Sequence, residues 1–448
     1  MLIPSIVQQL LFVAVFVAIL VTAFTSVRAF LFLLGFTIPL MIPRVDIGVG
    51  LDWYKLVGPI AVGLALFNGR GVGARASRTS SMLIFVAYAV IVSTIWMFLE
   101  YNYLERYRLA AAMEMGGGLA QNRLKMPVQL GSFIGQVLAV FAVPLWARNQ
   151  EECSWAVDGA VGGVITSVVA GGISWLATGL ATVNTSGLQG VLVYSDYSIA
   201  RLGGLSGEPK LLGASLAVVL MHFMSRQVFG KGPLARTWAF AFVAAALFAT
   251  FSTSAWAAAA GGLVVVALIA LTRPSSSRLG LLAIIFGSGA LLTLSVGFVG
   301  SMLESRGFGR IFGESGDLDQ QKDMYVFRVF SDQPGNAVFG YGLGGVDLAV
   351  IPYVEWLHLK YKRTPTPAIT GVRLLGDLGA MGVALLYGLA ISWARRLRRS
   401  GDHIGAGFMV AGLTTALLGS MIGLTEYFFL AGATLTANHI RNQLTPTQ

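Results

Sequence analysis

Cysteine occurs once in this chain of 448 residues, at Cys153, and histidine four times. A lone cysteine excludes an intramolecular disulfide and gives no basis for a cysteine-ligated metal site. Charge is also scarce: 12% of residues are Asp, Glu, Lys or Arg, against about 25% in an ordinary soluble protein. Signatures of cofactor chemistry are missing as well. There is no HExxH, no EF-hand loop, no P-loop ending in GK[ST] and no dinucleotide fingerprint followed by strand and acid, so nucleotide hydrolysis, a resident metal and a bound redox cofactor are not expected. The apolar runs do not alternate with polar residues, which argues against a transmembrane β-barrel.

What the chain has in abundance is apolar surface, 55% of its residues. Stretches near the roughly 20 residues needed to span a bilayer recur at 7–24, 29–43, 55–69, 81–99, 127–146, 156–182, 211–228, 235–250, 256–272, 279–300, 367–393, 404–420 and 422–438. The fold class expected is therefore an all-α polytopic membrane protein, a bundle of about 12 transmembrane helices. The opening stretch, "MLIPSIVQQLLFVAVFVAILVTAF", lacks the basic residues that precede a cleaved signal core, so it is expected to be retained. Segment 29–43 is short and flanked by interfacial sequence, and is the one expected not to cross fully.

The net charge of +10 is dispersed between apolar segments, which fits topology signals and lipid headgroups rather than nucleic acid. Acid-free basic connections lie at 70–80, 226–236 (Arg226, Lys231, Arg236), 273–278 (Arg273, Arg278) and 394–400 (Arg395, Arg396, Arg398, Arg399). These are expected on the cytoplasmic side. The alternate connections, 100–126, 183–210, 251–255 and 301–366, then face outward. The last is too long and too patterned for a tether and reads as a partly helical cap, giving divisions at 1–300, 301–366 and 367–448.

Polar chemistry concentrates in three outward stretches. In "RLGGLSGEPKLLG", residues 201–213, Arg201 stands beside glycines that let a backbone approach a ligand closely. A guanidinium suits bidentate capture of phosphate oxygens, and Lys210 can add a second charge. The alternative is an interfacial arginine snorkelling to headgroups beside a glycine-rich turn. The second stretch, "DMYVFRVFSDQPGNAVFGYGLGG", carries Arg328 and a loop in which the amides of Gly340, Gly342 and Gly344 can form an anion-binding concavity, or simply a tight connection. In the third, "AITGVRLLGDLGAMG", Arg373 and Asp377 stand i, i+4 on one helix face, where they line a cavity or form a structural ion pair. Glu426 is a further carboxyl within an apolar segment, and His358 is the histidine that falls in the outward region.

In their order and placement these three stretches resemble the bacterial O-antigen ligase and polysaccharide polymerase family, the Wzy-type membrane glycosyltransferases. Such proteins carry an Arg-x-x-Gly stretch with an Asn-Pro or Glu-Pro turn before a helix, and a large late periplasmic loop with an arginine-bearing helix and a glycine-rich turn. The sequence departs from the ligase pattern. Ala368 and Ile369 stand where ligases tend to have His-Asn, Asp377 replaces a Glu, and "STSAW" (252–256) replaces Ser-Arg-Gly. Polymerases vary more at these positions, so the departures favour a polymerase.

The resemblance implies transfer of a growing glycan from a polyprenyl diphosphate carrier to the next lipid-linked repeat unit at the periplasmic face of the inner membrane, without metal. Arg201 and Arg328 would neutralise the leaving diphosphate, with Lys210, Gly340, Gly342, Gly344 and Arg373 in support. Glu208, Asp323, His358 and Asp377 are the candidate bases for the acceptor hydroxyl. Implied partners are the lipid-linked oligosaccharide, membrane lipids and a chain-length-regulating copolymerase. A ligase using the same donor, and a transporter or flippase of lipid-linked oligosaccharide, remain as alternatives. The side assignment is directly checkable: alkaline phosphatase fused after residue 310 is expected to be active and after residue 400 inactive, and the reverse pattern would overturn it.

Overall fold

The computed structural model describes residues 5–41, 45–46, 50–69, 79–98, 125–177, 191–193, 200–230, 237–250, 252–271, 289, 318–350, 367 and 369–444. Helices α1 (Ser5–Thr25), α2 (Val27–Thr37), α3 (Trp53–Phe67) and α4 (Met82–Phe98) are followed by α5 (Lys125–Trp146), α6 (Gln150–Ala177), α7 (Pro209–Phe229), α8 (Thr237–Ala249) and α9 (Thr253–Leu271). A second series comprises α10 (Leu318–Asp332), α11 (Asn336–Phe339), α12 (Val346–Ala349), α13 (Thr370–Arg399), α14 (His403–Leu418) and α15 (Met421–Leu444). Strands among the described residues are confined to two antiparallel ribbons, β1 (Val45–Asp46) with β2 (Gly50–Leu51) and β3 (Val191–Val193) with β4 (Ala200–Leu202). Every apolar segment expected from the sequence coincides with a helix except 279–300, which lies almost wholly outside the described residues.

Six of these helices, α1, α5, α6, α7, α9 and α13, are long and apolar enough to cross a membrane. The chain is therefore a helical, multi-pass membrane protein. Its outer surface agrees with this: Leu10, Phe67, Ile84, Phe98, Ile173 and Leu271 are all exposed, an apolar coat that water would not tolerate on this scale. By contrast α2 has 11 residues and rises only about 16 Å. That is shorter than the roughly 30 Å hydrocarbon layer.

Contacts divide the chain into two units. One comprises Met1–Ser80, Gly135–Ser295 and Ala390–Gln448, the other Ser81–Ile134 and Val296–Leu389. Two of the boundaries between them fall inside α5 and α13, and residues 318–350 group with α4 in the second unit.

In the first unit α2 packs on α6 with backbone nearly touching backbone. A side chain at Gly159 or Gly163 would strike the main chain of Phe32 or Phe36, and one at Gly35 the main chain at Ala156 and Ala160. Small residues four apart are what allow such approach where lipid supplies no hydrophobic drive. Beside this pair, α7 is the hub, packed by α6, α8, α9, α14 and α15. It is buried around its whole circumference from Leu212 to Ser225, as expected of a helix apolar on all faces. Pro209 opens it at the first turn, where a missing N–H costs nothing.

The C-terminal ends of α7, α9 and α13 share one end of this unit: Phe229 sits against Gly407 of α14, and Leu268 and Arg395 line one cavity with Ala406. Basic residues expected on a common side, Arg226 and Arg395 to Arg399, are thus grouped. Replacing Gly163 by Leu should force α2 off α6 and destabilise the fold by about 1–3 kcal/mol, read as a lower unfolding midpoint of the detergent-solubilised protein; an unchanged midpoint would refute the close-packing account.

Candidate functional site

The site with the most developed geometry lies in the second unit, where α13 breaks. Gly379 has φ 68° and ψ −178° inside this helix, so the carbonyls one turn before it lose their helical partners. Two are recovered from outside: the Tyr341 N–H donates to Gly376 O at 3.0 Å and the Tyr88 hydroxyl of α4 to Leu378 O at 2.8 Å. Unsatisfied backbone within a membrane costs several kcal/mol per group, so a break of this kind persists only with such partners.

The glycine loop 340–345 fits into this break. Gly340, Gly342 and Gly344 all have positive φ (77°, 74° and 80°). At Gly340 the constraint is twofold, since a Cβ would also strike the main chain of Asp377 and Gly379. The Gly344 and Val346 amides donate to Asp377 Oδ1 at 3.0 and 3.4 Å, the Leu343 amide to Ser93 Oγ at 3.0 Å, and the Gly345 amide to Gly342 O at 2.8 Å. Of the three glycine amides singled out in the sequence, that of Gly344 is turned to the Asp377 carboxyl, while that of Gly340 donates to Asn336 O.

Arg373 completes the constellation. Its Nε lies 3.7 Å from Asp377 Oδ2 and its Nη2 3.8 Å from Asp347 Oδ2, with both aspartates buried. The two residues spaced i, i+4 in the sequence are thus an ion pair, joined by a third member. One cation between two buried carboxylates is stable only as a set: removing a single partner from a buried ion network typically costs about 3–5 kcal/mol. The chemistry this arrangement performs is positional, locking the glycine loop to α13.

Over the loop lies α10. Tyr325, Val326, Val329 and Phe330 on its inner face pack with Tyr341, Val346, Ala349 and Val350. This 3- and 4-residue spacing is the amphipathic pattern of "MYVFRVF". Arg328 projects from the opposite, exposed face, its guanidinium carbon 5.8 Å above the Tyr325 ring. It forms no ion pair among the described residues. Asp323, on the same helix, accepts from the Ile369 amide at 3.1 Å, fastening α10 to the start of α13.

The remaining sequence candidates are elsewhere. Arg201, Glu208 and Lys210 belong to the first unit, and His358 lies outside the described residues. The backbone of Arg201 pairs with Leu192 in the β3–β4 ribbon. Glu208 caps α7 in position only: it is exposed and its carboxylate makes no cap hydrogen bond. Lys210 is half-buried in the first turn of α7. Between them the turn Gly204–Ser206 is pressed against α6, with Ser206 N–H and Oγ both 3.2 Å from Ser167 Oγ and Ser206 Oγ donating to Pro39 O at 2.6 Å. A Cβ on Gly204, whose φ is +56°, would strike Ser167. At least two glycines of "RLGGLSGEPKLLG" therefore serve packing, Gly204 on α6 and Gly213 against Ala255.

No family model and no curated protein matches the chain. Sequence reasoning missed Asp347, Ser93 and Tyr88 as members of the site, and Gly379 as a helix break. The clustered glycines of "GDLGAMG" were the available signal for the last; Ser93 and Tyr88 sit in an apolar run with nothing to mark them. Replacing Asp377 by Ala should destabilise the solubilised protein by about 3 kcal/mol or more, while Asn, which keeps an acceptor for the loop amides, should cost clearly less. Equal loss in thermal unfolding for the two variants would show that the loop hydrogen bonds are not what Asp377 contributes.

Proposed function

We propose that the chain is a Wzy-type polysaccharide polymerase. In this reading it moves a growing glycan from a polyprenyl diphosphate to a hydroxyl of the next lipid-linked repeat unit, on the periplasmic side of a bundle of about 12 crossings. The observation that carries the reading is Arg328. It is an exposed guanidinium, unpaired among the described residues, held outward by a helix whose inner face is fixed to the glycine loop and the broken helix. A cation presented in this way suits an anionic ligand group with planar, two-point recognition.

The acceptor oxygen attacks the anomeric carbon of the donor sugar, the bond from that carbon to the diphosphate oxygen breaks, and the diphosphate leaves with the electron pair. Arg328 stabilises the charge developing on it; Arg201 and Lys210, in the first unit, are suited to phosphate by their own charge. The proton of the hydroxyl passes to a carboxylate or imidazole, for which Glu208, Asp323 and His358 are the candidates. Glu208 is exposed with no cap bond, whereas Asp323 has one oxygen engaged by Ile369. Asp377 and Arg373 enter as positioning residues, because their charges are turned to each other and to the loop.

A flippase or transporter is the second reading, and the interruption of α13 at Gly379 favours it, since broken helices recur at transport sites. Two of the carbonyls freed by the break are bonded to protein groups, which favours a fixed scaffold over an ion-coordinating one.

Sizing the carrier-linked and surface glycans of a deletion strain separates the readings. Single repeat units on the periplasmic face with no long chains are expected. Full-length chains stranded on the carrier would indicate a ligase, and repeat units retained on the cytoplasmic face a flippase. Arg328→Ala should lower polymer formation by about 10²-fold without changing thermal stability, and Arg201→Lys should fail nearly as badly as Arg201→Ala. Near-normal polymer from the Lys variant would sink the bidentate clamp.

A further inference from the structure

The first unit holds a cavity of about 350 Å³ at the end where α7, α9 and α13 terminate. Its walls are apolar, formed by Leu268 of α9, Ile391 of α13 and Ala406 and Val410 of α14, while Arg395 and Arg398 form its polar edge. The arginines are three residues apart on α13 and so share a face. Both are exposed, and neither forms an ion pair with an acidic side chain among the described residues. Leu268 and Ile391, next to them, are also exposed, so the apolar wall continues onto the surface that meets lipid.

This cavity is separate from the stretch proposed to hold the donor. The 201–208 stretch leads into the N-terminal end of α7, and Phe229 at the other end of α7 packs on Gly407, beside Ala406. The 21 residues between amount to about 30 Å, one hydrocarbon thickness.

We infer that this cavity binds an anionic glycerophospholipid of the surrounding leaflet, its phosphate between Arg395 and Arg398 and the start of an acyl chain along Leu268, Ile391 and Val410. Charge complementarity selects the class. Two unpaired guanidiniums at the rim of an apolar recess favour a lipid with net negative charge over a zwitterionic one, and basic recesses between helix ends are where such headgroups bind. The volume falls within the range of about 300–1,000 Å³ typical of small-molecule sites. A role confined to topology would need only positive charge; the recess adds shape. The inference does not depend on the proposed glycan transfer.

The test is native mass spectrometry of the full chain in detergent with added phosphatidylglycerol, phosphatidylcholine or a short-chain polyprenyl diphosphate. The phosphatidylglycerol adduct should predominate. In Arg395→Gln/Arg398→Gln it should be about 30-fold weaker, the combined worth of two basic residues facing an anionic leaflet. Val410→Trp, at a half-buried lining position, keeps every charge and should also lose the adduct by filling the recess. Equal binding of phosphatidylcholine, an adduct that survives both changes, or displacement of phosphatidylglycerol by the polyprenyl diphosphate would each overturn the inference.

Discussion

A break in a membrane helix must find hydrogen-bond partners from outside that helix, and in this protein the interruption of α13 at Gly379 organises what surrounds it. Tyr341 and Tyr88 satisfy the freed carbonyls of Gly376 and Leu378. Supplying Tyr341 brings the glycine loop into contact with the helix, and the loop's own amides then need an acceptor, which Asp377 provides. Arg373 faces that buried carboxyl and, on its other side, the carboxyl of Asp347. Each member is explained by the one before it. The constellation is a chain of compensations for one backbone kink, and its rigidity is what lets α10 hold Arg328 outward.

Much of the helical layout was legible in the sequence because hydrophobic length is the strongest local signal a chain carries. The short α2 and the proline-initiated α7 could be read from the residues at their ends. The pairing of Arg373 with Asp377 followed from spacing alone. Harder to read was what the glycines do. "RLGGLSG" and "GYGLGG" look alike as flexible, phosphate-cradling loops. In the folded chain Gly204 admits α6 and Gly340 admits the main chain of α13. Close approach and ligand binding ask the same thing of a backbone, the absence of a side chain, so composition cannot separate them. Asp347 was invisible for another reason: its partner is 26 positions away, and no period links the one-turn helix α12 to α13.

These assignments divide the polar residues by environment. Among those enclosed by protein, Arg373 lies between the carboxyls of Asp347 and Asp377; those that reach the surface, Arg328, Glu208, Arg395 and Arg398, form no ion pair among the described residues. The proposed chemistry and the proposed lipid site both draw on the second group. In a chain this poor in charge, a cation left uncompensated at the surface is the better guide to function than one that is buried and paired.

Helix α7 bears on how the protein is made. It is the least apolar of the six membrane-length helices and the one most enclosed by its neighbours, while α1, the most apolar, is the least enclosed. A helix that never meets lipid is under little pressure to be greasy. During synthesis, however, it must leave the translocon before α9, α14 and α15 exist to surround it. Stable insertion of α7 therefore waits on segments made later, and its residence in the bilayer is settled by assembly rather than by partition.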